Sequence, residues 1–125
     1  MRETRQRTAI ERALQKAGRP LSTGEVLEEA KKEAKSLGIA TVYRNLKALQ
    51  SERKLTQVAL PGQPARWETA RKDHHHHFLC RMCDRLIDIR ICSEDLLNLL
   101  PKGYVLEEHD ILLRGLCADC LEKPG

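Results

Sequence analysis

Apolar residues recur every three or four positions in three segments of the first half of the chain, which predicts three amphipathic helices. The first helix runs from Thr4 to Ala17 and ends at Gly18. The second follows the capping-box sequence Ser22-Thr23-Gly24-Glu25 and closes at Gly38. The third runs from about Thr41 to Arg53.

A β-hairpin is predicted after the third helix. Lys54–Leu60 and Ala65–Thr69 have the composition of short strands, and Pro61-Gly62-Gln63-Pro64 is a strong turn signal between them. Trp67 is expected to pack this hairpin onto the helices. Three helices followed by a hairpin is the element order of a winged helix-turn-helix.

The second half of the chain predicts a mixture of strands and one short helix. Leu86–Ile89 has the pattern of a strand, Ser93–Leu100 that of a short helix, and Tyr104–Leu113 that of one or two further strands. Composition changes near residues 70–73, so we place a domain boundary between residues 72 and 73. The predicted fold class is α+β, with domains 1–72 and 73–125.

The third helix has an apolar face and a basic face. Val42, Leu46 and Leu49 lie on the face that packs, whereas Tyr43, Arg44 and Lys47 share the other. Arginine can bridge guanine O6 and N7, an aromatic ring can pack on a thymine methyl, and lysine can meet phosphate. The face therefore suits a DNA major groove, although a merely solvated basic face would have the same pattern.

Charge supports an anionic partner for the first half. Through Lys72 there are sixteen Lys and Arg against eight Asp and Glu, whereas the rest of the chain has six against ten. Basic halves of this kind most often bind nucleic acid, although simple solvation is the alternative. Arg2, Arg5 and Arg7 could form a disordered basic tail or make a minor-groove or phosphate contact.

The composition also indicates a compartment. The sequence has no signal-peptide pattern and no apolar run long enough to span a membrane, so we expect a cytoplasmic protein. Five cysteines are an odd number, which favours metal or thiol chemistry over a disulfide framework.

Two Cys-x2-Cys pairs predict a structural zinc site. Cys80 with Cys83, and Cys117 with Cys120, can each chelate one side of an ion, and together they supply four thiolates. A redox dithiol pair is the alternative. Cys92 belongs to neither pair and is expected to be a small buried residue.

Four consecutive histidines, His74–His77, precede the first cysteine pair. In an extended strand, successive side chains point to opposite faces. His75 and His77 would then share one face and His74 and His76 the other, so that the run can serve two different metal sites. Neither an H-E-x-x-H sequence nor a deaminase-type H-x-E sequence is present, so a metallohydrolase is disfavoured.

Three segments together resemble the ferric uptake regulator family: Thr41-Val42-Tyr43-Arg44-Asn45-Leu46, His74 to Cys83, and Leu113-Arg114-Gly115-Leu116-Cys117 with Cys120. The resemblance implies a homodimeric, metal-responsive repressor of metal-homeostasis genes. It also implies an N-terminal winged helix that binds a palindromic operator in double-stranded DNA, and a small C-terminal α/β dimerisation domain with the four-cysteine zinc site. Contacts to DNA are expected from Arg2, Thr41, Tyr43, Arg44 and Lys47.

The resemblance also implies the ligands of two further metal sites. The regulatory site would use Glu68, His75, His77 and Asp88. A second site in the dimerisation domain would use His74, His76, Asp95 and His109. A histidine that many iron and peroxide sensors of the family carry before the second helix is absent from Arg19-Pro20-Leu21-Ser22, and no cysteine lies between Glu68 and His77. The regulatory metal is expected to be Fe(II) or Zn(II), with Mn(II) also compatible. A peroxide- or manganese-responsive regulator of this family, or a zinc or thiol redox sensor without DNA binding, is the alternative function.

Overall fold

The computed structural model describes residues 2–70, 74–92 and 94–122, without the side chains of residues 2–4 and 94. These residues form two compact units, one ending at residue 70 and the other starting at residue 74. The predicted domain boundary, between residues 72 and 73, lies outside the described residues.

The first unit contains three helices followed by a hairpin, and this predicted order is confirmed. The elements are α1 Arg2–Ala17, α2 Thr23–Ala30, α3 Ile39–Ser51, β1 Leu55–Leu60 and β2 Gln63–Thr69. The two strands pair antiparallel, and Gly62 at the turn between them has a φ of +76°. A positive φ favours glycine because it has no Cβ.

The helix ends differ from the predicted ends for local reasons. α2 ends at Ala30, and turns follow at residues 31–33 and 35–36, with the Ala34 N–H still donating to the Ala30 carbonyl. α3 ends at Ser51, before the predicted Arg53, because Arg53 has a φ of +63° and a right-handed helix cannot continue through it. α1 begins at Arg2, so the backbone there is helical and does not form a disordered tail.

The capping box predicted for α2 is confirmed. Ser22 Oγ accepts from the Glu25 N–H at 3.1 Å, and Glu25 Oε1 accepts from the Ser22 N–H at 3.0 Å. The same segment is tied to the hairpin, because Leu21 and Trp67 exchange both backbone hydrogen bonds, at 2.7 and 2.8 Å. The start of α2 is therefore fixed at both its cap and its preceding residue.

One aliphatic core holds the first unit together. Its buried members come from all three helices, from the loops beside α2 and from the hairpin: Ala9, Ile10, Ala13, Leu14, Leu21, Val26, Ala30, Ala34, Leu37, Val42, Leu46, Leu49, Leu55 and Trp67. Trp67 is 2% exposed, and its indole N–H donates to Thr23 Oγ1 at 3.0 Å. The expectation that Trp67 packs the hairpin onto the helices is confirmed.

The second unit is built on a three-stranded sheet. The strands are β3 His76–Cys80, β4 Leu86–Ile89 and β5 Leu112–Gly115, in the spatial order β4-β3-β5. β3 pairs antiparallel with β4 and parallel with β5. A 3-10 helix, Glu94–Leu99, lies in the connection to β5, and a short helix, α4 Ala118–Leu121, follows it.

The prediction of strands across Tyr104–Leu113 is wrong for most of that range. Among the described residues, β5 begins only at Leu112, and residues 104–111 have no strand structure. The apolar residues in this range suggested a strand, but a strand also needs a neighbour to pair with. The described part of this chain provides none there, and Val105 is 82% exposed.

Candidate metal centres

Strand pairing explains how the two Cys-x2-Cys pairs meet. β3 and β5 are neighbouring parallel strands, so their carboxyl ends lie at one edge of the sheet. Cys80 is the last residue of β3, and Cys117 follows β5 by two residues. The Arg81 N–H donates to the Gly115 carbonyl at 2.9 Å and holds the two strand ends together.

Each cysteine pair lies in a tight turn. After Cys80 the chain reverses into β4, with the Asp84 N–H donating to the Cys80 carbonyl at 2.9 Å and Asp84 at a φ of +63°. Cys117 is the N-cap of α4, and Cys120 lies within that helix. The four sulfur atoms lie within 4.8 Å of one another, with Cys83 Sγ and Cys117 Sγ 3.8 Å apart.

This geometry fits zinc. A tetrahedral ion with Zn–S bonds near 2.3 Å requires sulfur atoms about 3.8 Å apart. The backbone prepares the cluster for a cation: N–H groups of Cys83 and Cys117 point at Cys80 and hold the pKa of its thiol at about 6. Burial and the neighbouring sulfurs raise the pKa of Cys120 to about 12. The last thiol thus resists ionisation unless a cation compensates the charge.

The four histidines divide into two pairs, as strand alternation predicts. The rings of His74 and His76 lie 4.3 Å apart between centroids, and those of His75 and His77 lie 5.0 Å apart. His76 and His77 lie within β3, and the two residues before it continue the alternation. Each pair therefore faces a different set of neighbours.

Strand register supplies a carboxylate to the pair His75 and His77. His77 lies directly opposite Asp88 in β4, with His77 Nε2 3.4 Å from Asp88 Oδ1. Ligand atoms of these three residues lie within 4.8 Å of one another. Two imidazoles and a carboxylate are ligands for Fe(II), Zn(II) or Mn(II). The remaining residue predicted for this site, Glu68, lies in β2 of the first unit, next to Trp67.

The pair His74 and His76 meets His109 and Cys92. The parallel register joins His77 to Leu112, so three residues earlier it carries His74 to His109. The nitrogens His74 Nε2 and His109 Nε2 are 3.0 Å apart, and His74 Nε2 and His76 Nε2 are 2.9 Å apart. Cys92 Sγ completes the group, 3.3 Å from His76 Nε2 and 3.1 Å from His109 Nε2. Asp95, predicted for this site, lies in the 3-10 helix and is not among these four ligands.

The expectation that Cys92 is a buried residue is wrong. Cys92 is exposed and lies three residues beyond the end of β4, outside the sheet. Its neighbour His76 differs, because desolvation by burial, together with the nearby His74 and His109, lowers the pKa of His76. Sequence reasoning missed Cys92 because its approach to the histidines follows from the antiparallel pairing of His76 with Ile89, which brings the chain after β4 back past His74 and is seen only in the structure.

The predicted recognition face lies on α3. Tyr43, Arg44 and Lys47 are exposed, whereas Val42, Leu46 and Leu49 are buried. Tyr43 is 49% exposed, and its ring packs edge-on against Trp67 with centroids 6.2 Å apart. Thr41 Oγ1 accepts from Arg44 Nη2 at 3.2 Å. These contacts position the tyrosine and the arginine without covering them.

The arginines of α1 differ from one another. Arg7 is held by Glu52, at 2.6 and 2.9 Å, and by Glu11 at 3.2 Å, so its charge is already paired. The hydrogen bond from Arg7 lowers the pKa of Glu52. Arg5 is exposed, and the side chain of Arg2 lies outside the described residues.

Across the described chain, no helix combines the length and apolar character needed to cross a membrane.

Comparisons with known proteins agree on one family. The model of the ferric uptake regulator family matches residues 1–114. A ferric uptake regulation protein of Campylobacter jejuni is 33% identical over 88 residues, which cover 68% of this chain and 56% of that relative. A Helicobacter pylori protein of the same description is 28% identical over 126 residues, covering 98% of this chain and 84% of that relative. The matched stretch thus spans little more than half of the Campylobacter relative.

A solved structure has the same fold. The Helicobacter pylori ferric uptake regulator, described as having three functional metal binding sites, superposes with a TM-score of 0.73 at 26% identity. The superposition covers 96% of this chain and 82% of that one. The likeness agrees with the α+β fold predicted from sequence, with helices first and a strand-built, cysteine-bearing unit after them.

Proposed function

Because the chain belongs to the ferric uptake regulator family, we propose that it is a metal-dependent transcriptional repressor of metal-homeostasis genes. It binds a palindromic operator in double-stranded DNA as a homodimer. The observation that carries the proposal is the convergence of three ligand clusters in one unit of a chain whose other unit exposes a basic recognition helix. The three-site description of the Helicobacter pylori regulator supports this assignment.

The four-cysteine cluster is proposed to hold structural zinc. The ion would connect the ends of β3 and β5 to α4 through four ligands, Cys80, Cys83, Cys117 and Cys120. The described part of this unit has few buried apolar residues. Zinc in such a site contributes folding free energy directly, because the ligands are brought together only in the folded state. Zinc bound by these cysteines would therefore supply stability that a larger apolar core would otherwise provide.

The regulatory site is proposed to combine His75, His77 and Asp88 with Glu68. The first three already converge within the second unit, and Glu68 comes from the family resemblance. A bound cation would join carboxylate and imidazole ligands from both units and so favour the arrangement that presents two α3 helices to successive major grooves. Metal binding can cause such a shift only if the cation binds that arrangement of the chain more tightly than the others.

The metal at this site is proposed to be Fe(II) or Zn(II), with Mn(II) as the alternative. The donor set is nitrogen and oxygen, which suits all three ions. At the position before α2, where the family's additional histidine would lie, Arg19 is paired instead with Glu25 at 2.9 Å. The four remaining ligands can form a tetrahedral site, which favours Zn(II) among these ions.

Tyr43, Arg44 and Lys47 are proposed to read the operator, with Thr41 and Arg2 as neighbouring contacts. The first three are exposed on one face of α3. Packing of Tyr43 on Trp67 orders the ring before DNA arrives, which reduces the entropy lost on binding. Arg7 is not included because Glu11 and Glu52 already hold its guanidinium group.

Homodimerisation is proposed through the second unit. This unit exposes several large apolar side chains, namely Ile91, Leu97, Leu99, Tyr104, Val105, Leu113 and Leu121. Exposed apolar residues at this density mark interaction surfaces. A second copy of the chain is the occupant that a palindromic operator requires, because two-fold DNA sites mirror two-fold protein symmetry.

The deciding experiment is an operator mobility shift with Fe(II), Mn(II) and Zn(II), each at buffered free concentration, combined with metal counting. We expect a palindromic duplex to be retained only when the chain binds metal in addition to its one structural zinc. A scrambled duplex should not be retained. An Arg44→Ala variant should lose retention, whereas Lys102→Ala, which removes the same charge from the second unit, should keep it. Sequence-independent retention without added metal would contradict the proposal and favour a redox or zinc-storage role.

A further inference from the structure

Cys92 gives the second histidine cluster a thiol that the family resemblance does not supply. We propose that His74, His76, His109 and Cys92 bind one zinc-class ion through three imidazoles and a thiolate. In this proposal Cys92, and not Asp95, is the fourth ligand. The site would select Zn(II) and Co(II) over Fe(II) and Mn(II). The inference does not rest on operator binding, because it concerns metal bound by the second unit alone.

The four ligand atoms converge on one point. Consecutive atoms around the group, from His74 Nε2 to His76 Nε2, Cys92 Sγ, His109 Nε2 and back, are separated by 2.9, 3.3, 3.1 and 3.0 Å. A tetrahedral zinc ion needs nitrogens about 3.3 Å apart and nitrogen–sulfur pairs about 3.6 Å apart. Outward shifts of a few tenths of an ångström therefore suffice to admit the ion.

Hydrogen bonding alone does not satisfy this ring of contacts. Each Nε2 is either a donor or an acceptor in a neutral imidazole, and a thiol has one hydrogen. Each of these nitrogens contacts two members of the ring but offers only one proton or one lone pair, so the four contacts cannot all be hydrogen bonds. A cation accepts lone pairs from all four atoms at once, so the arrangement fits an ion better than a closed hydrogen-bonded ring.

His76 can bind a metal ion through Nε2 only if its ring proton first moves to the other nitrogen. The Ile111 N–H donates to His76 Nδ1 at 3.2 Å, so the proton of the neutral ring lies on Nε2. Ligation through Nε2 requires that proton to move to Nδ1, and Ile111 then loses its acceptor. Loss of the hydrogen bond from the Ile111 N–H would therefore indicate that His76 has bound the metal ion.

The thiolate determines which metals the site prefers. Soft sulfur ligands favour Zn(II) over the harder Fe(II) and Mn(II), beyond the general order of affinities. The regulatory cluster of His75, His77 and Asp88 lacks sulfur, although it lies on the opposite face of the same strand. One strand thus presents a sulfur-containing site and a nitrogen–oxygen site, so the two can hold different ions in the same cell.

The test uses the full chain carrying one zinc per chain in the four-cysteine site, verified by metal analysis before and after titration. Co(II) is added, and thiolate-to-Co(II) charge-transfer absorption is recorded in the near ultraviolet. With the four paired cysteines occupied by zinc, Cys92 is the thiolate left to produce this band. We expect the band to saturate at one Co(II) per chain, Zn(II) to displace it, and excess Mn(II) to leave it unchanged.

Two variants decide between Cys92 and Asp95. Cys92→Ser should abolish the band and weaken Co(II) binding at this site by more than the roughly 10–100-fold that loss of a supporting contact costs. Asp95→Asn should retain both the band and the affinity. Retention of the band in Cys92→Ser, absence of the band from the parent chain, or loss of Co(II) binding in Asp95→Asn would each overturn the proposal. Metal binding is read without DNA, so failure of operator binding leaves these outcomes unaffected.

Discussion

Cys80 belongs to β3, to the turn that follows it and to the four-cysteine cluster. Its carbonyl accepts the N–H that closes the turn, and its sulfur accepts the Cys117 N–H at 3.4 Å. The side chain is fully buried, although it lies at the end of a strand. One substitution here therefore affects the metal site and the strand pairing together.

We predict that Cys80→Ser unfolds the second unit or leaves it monomeric. Three thiolates hold zinc far less tightly than four, and in this unit the metal substitutes for core packing. Zinc content, circular dichroism and sedimentation should all change, whereas Cys92→Ser should preserve the folded dimer. A zinc-free Cys80→Ser chain that remains a stable dimer would contradict the structural assignment.

The capping box of α2 offers a test that does not involve metal. Partial burial of Glu25 opposes its ionisation, but the Ser22 N–H and Arg19 outweigh that effect and lower its pKa. A carboxylate whose pKa is lower in the folded state stabilises the fold above its unfolded pKa, and this contribution is lost as pH falls through the folded value.

We predict that Ser22→Ala lowers the free energy of unfolding of the first unit by about 1 kcal/mol, the usual cost of losing an N-cap. Glu25→Gln should also destabilise near neutral pH, and its difference from the parent chain should shrink as pH falls below about 4. Chemical denaturation at several pH values measures both effects. Glu28→Gln, on the exposed side of α2, is the control. A Glu25→Gln penalty that does not vary with pH would refute the assigned role of the carboxylate.

β3 shows how far sequence reasoning reaches at the level of one element. Alternation along His74–His77 was sufficient to predict two histidine pairs, because a strand has only two faces. The partners of each pair depend on register with β4 and β5, which the residues of β3 do not encode. Asp88 and His109 were assigned through the family resemblance, whereas Cys92 required the path of the chain after β4.

The failure at residues 104–111 has a similar cause. The apolar residues at 104–106 and 111–113 suggested strands, but apolar composition does not show whether another strand lies beside a segment. The helices of the first unit were easier to predict, since each forms its own backbone hydrogen bonds. Their ends moved only where a cap or a left-handed residue such as Arg53 intervened.

Recognition by α3 makes a prediction about sequence discrimination. If Tyr43 packs on a thymine methyl, Tyr43→Ala should reduce discrimination between operator and mismatched duplex by about 1–3 kcal/mol. Tyr43→Phe should retain the packing on both Trp67 and the base. Binding isotherms on matched duplex pairs measure this. An equal loss of affinity on every duplex would make Tyr43 a positioning residue instead.

The exposed apolar side chains of the second unit give a prediction for the whole molecule. Leu99 and Val105 are 79% and 82% exposed. We predict that Val105→Asp weakens or abolishes dimerisation while the zinc content per chain stays equal to that of the parent, because a charge at an apolar interface is left unpaired. Sedimentation equilibrium checks the assembly, and Lys102→Asp, a charge change at a nearby exposed polar position, is the control. A Val105→Asp chain that dimerises as tightly as the parent would place the interface elsewhere.

Coupling between metal and DNA is the property that requires the complete chain. We predict that His77→Ala and Glu68→Ala each abolish the metal-dependent increase in operator affinity while leaving zinc-loaded dimers intact, because each removes a proposed ligand of the regulatory site. Glu28→Ala removes an exposed carboxylate from the same half as Glu68 and should change nothing. Operator affinity is measured at fixed salt, since the basic first unit binds DNA more weakly as salt rises whatever the metal does. If both variants respond to metal as the parent does, regulation operates through other ligands. If only Glu68→Ala does, the ion is held by His75, His77 and Asp88 within the second unit, and its effect on DNA binding must pass through the fold of that unit.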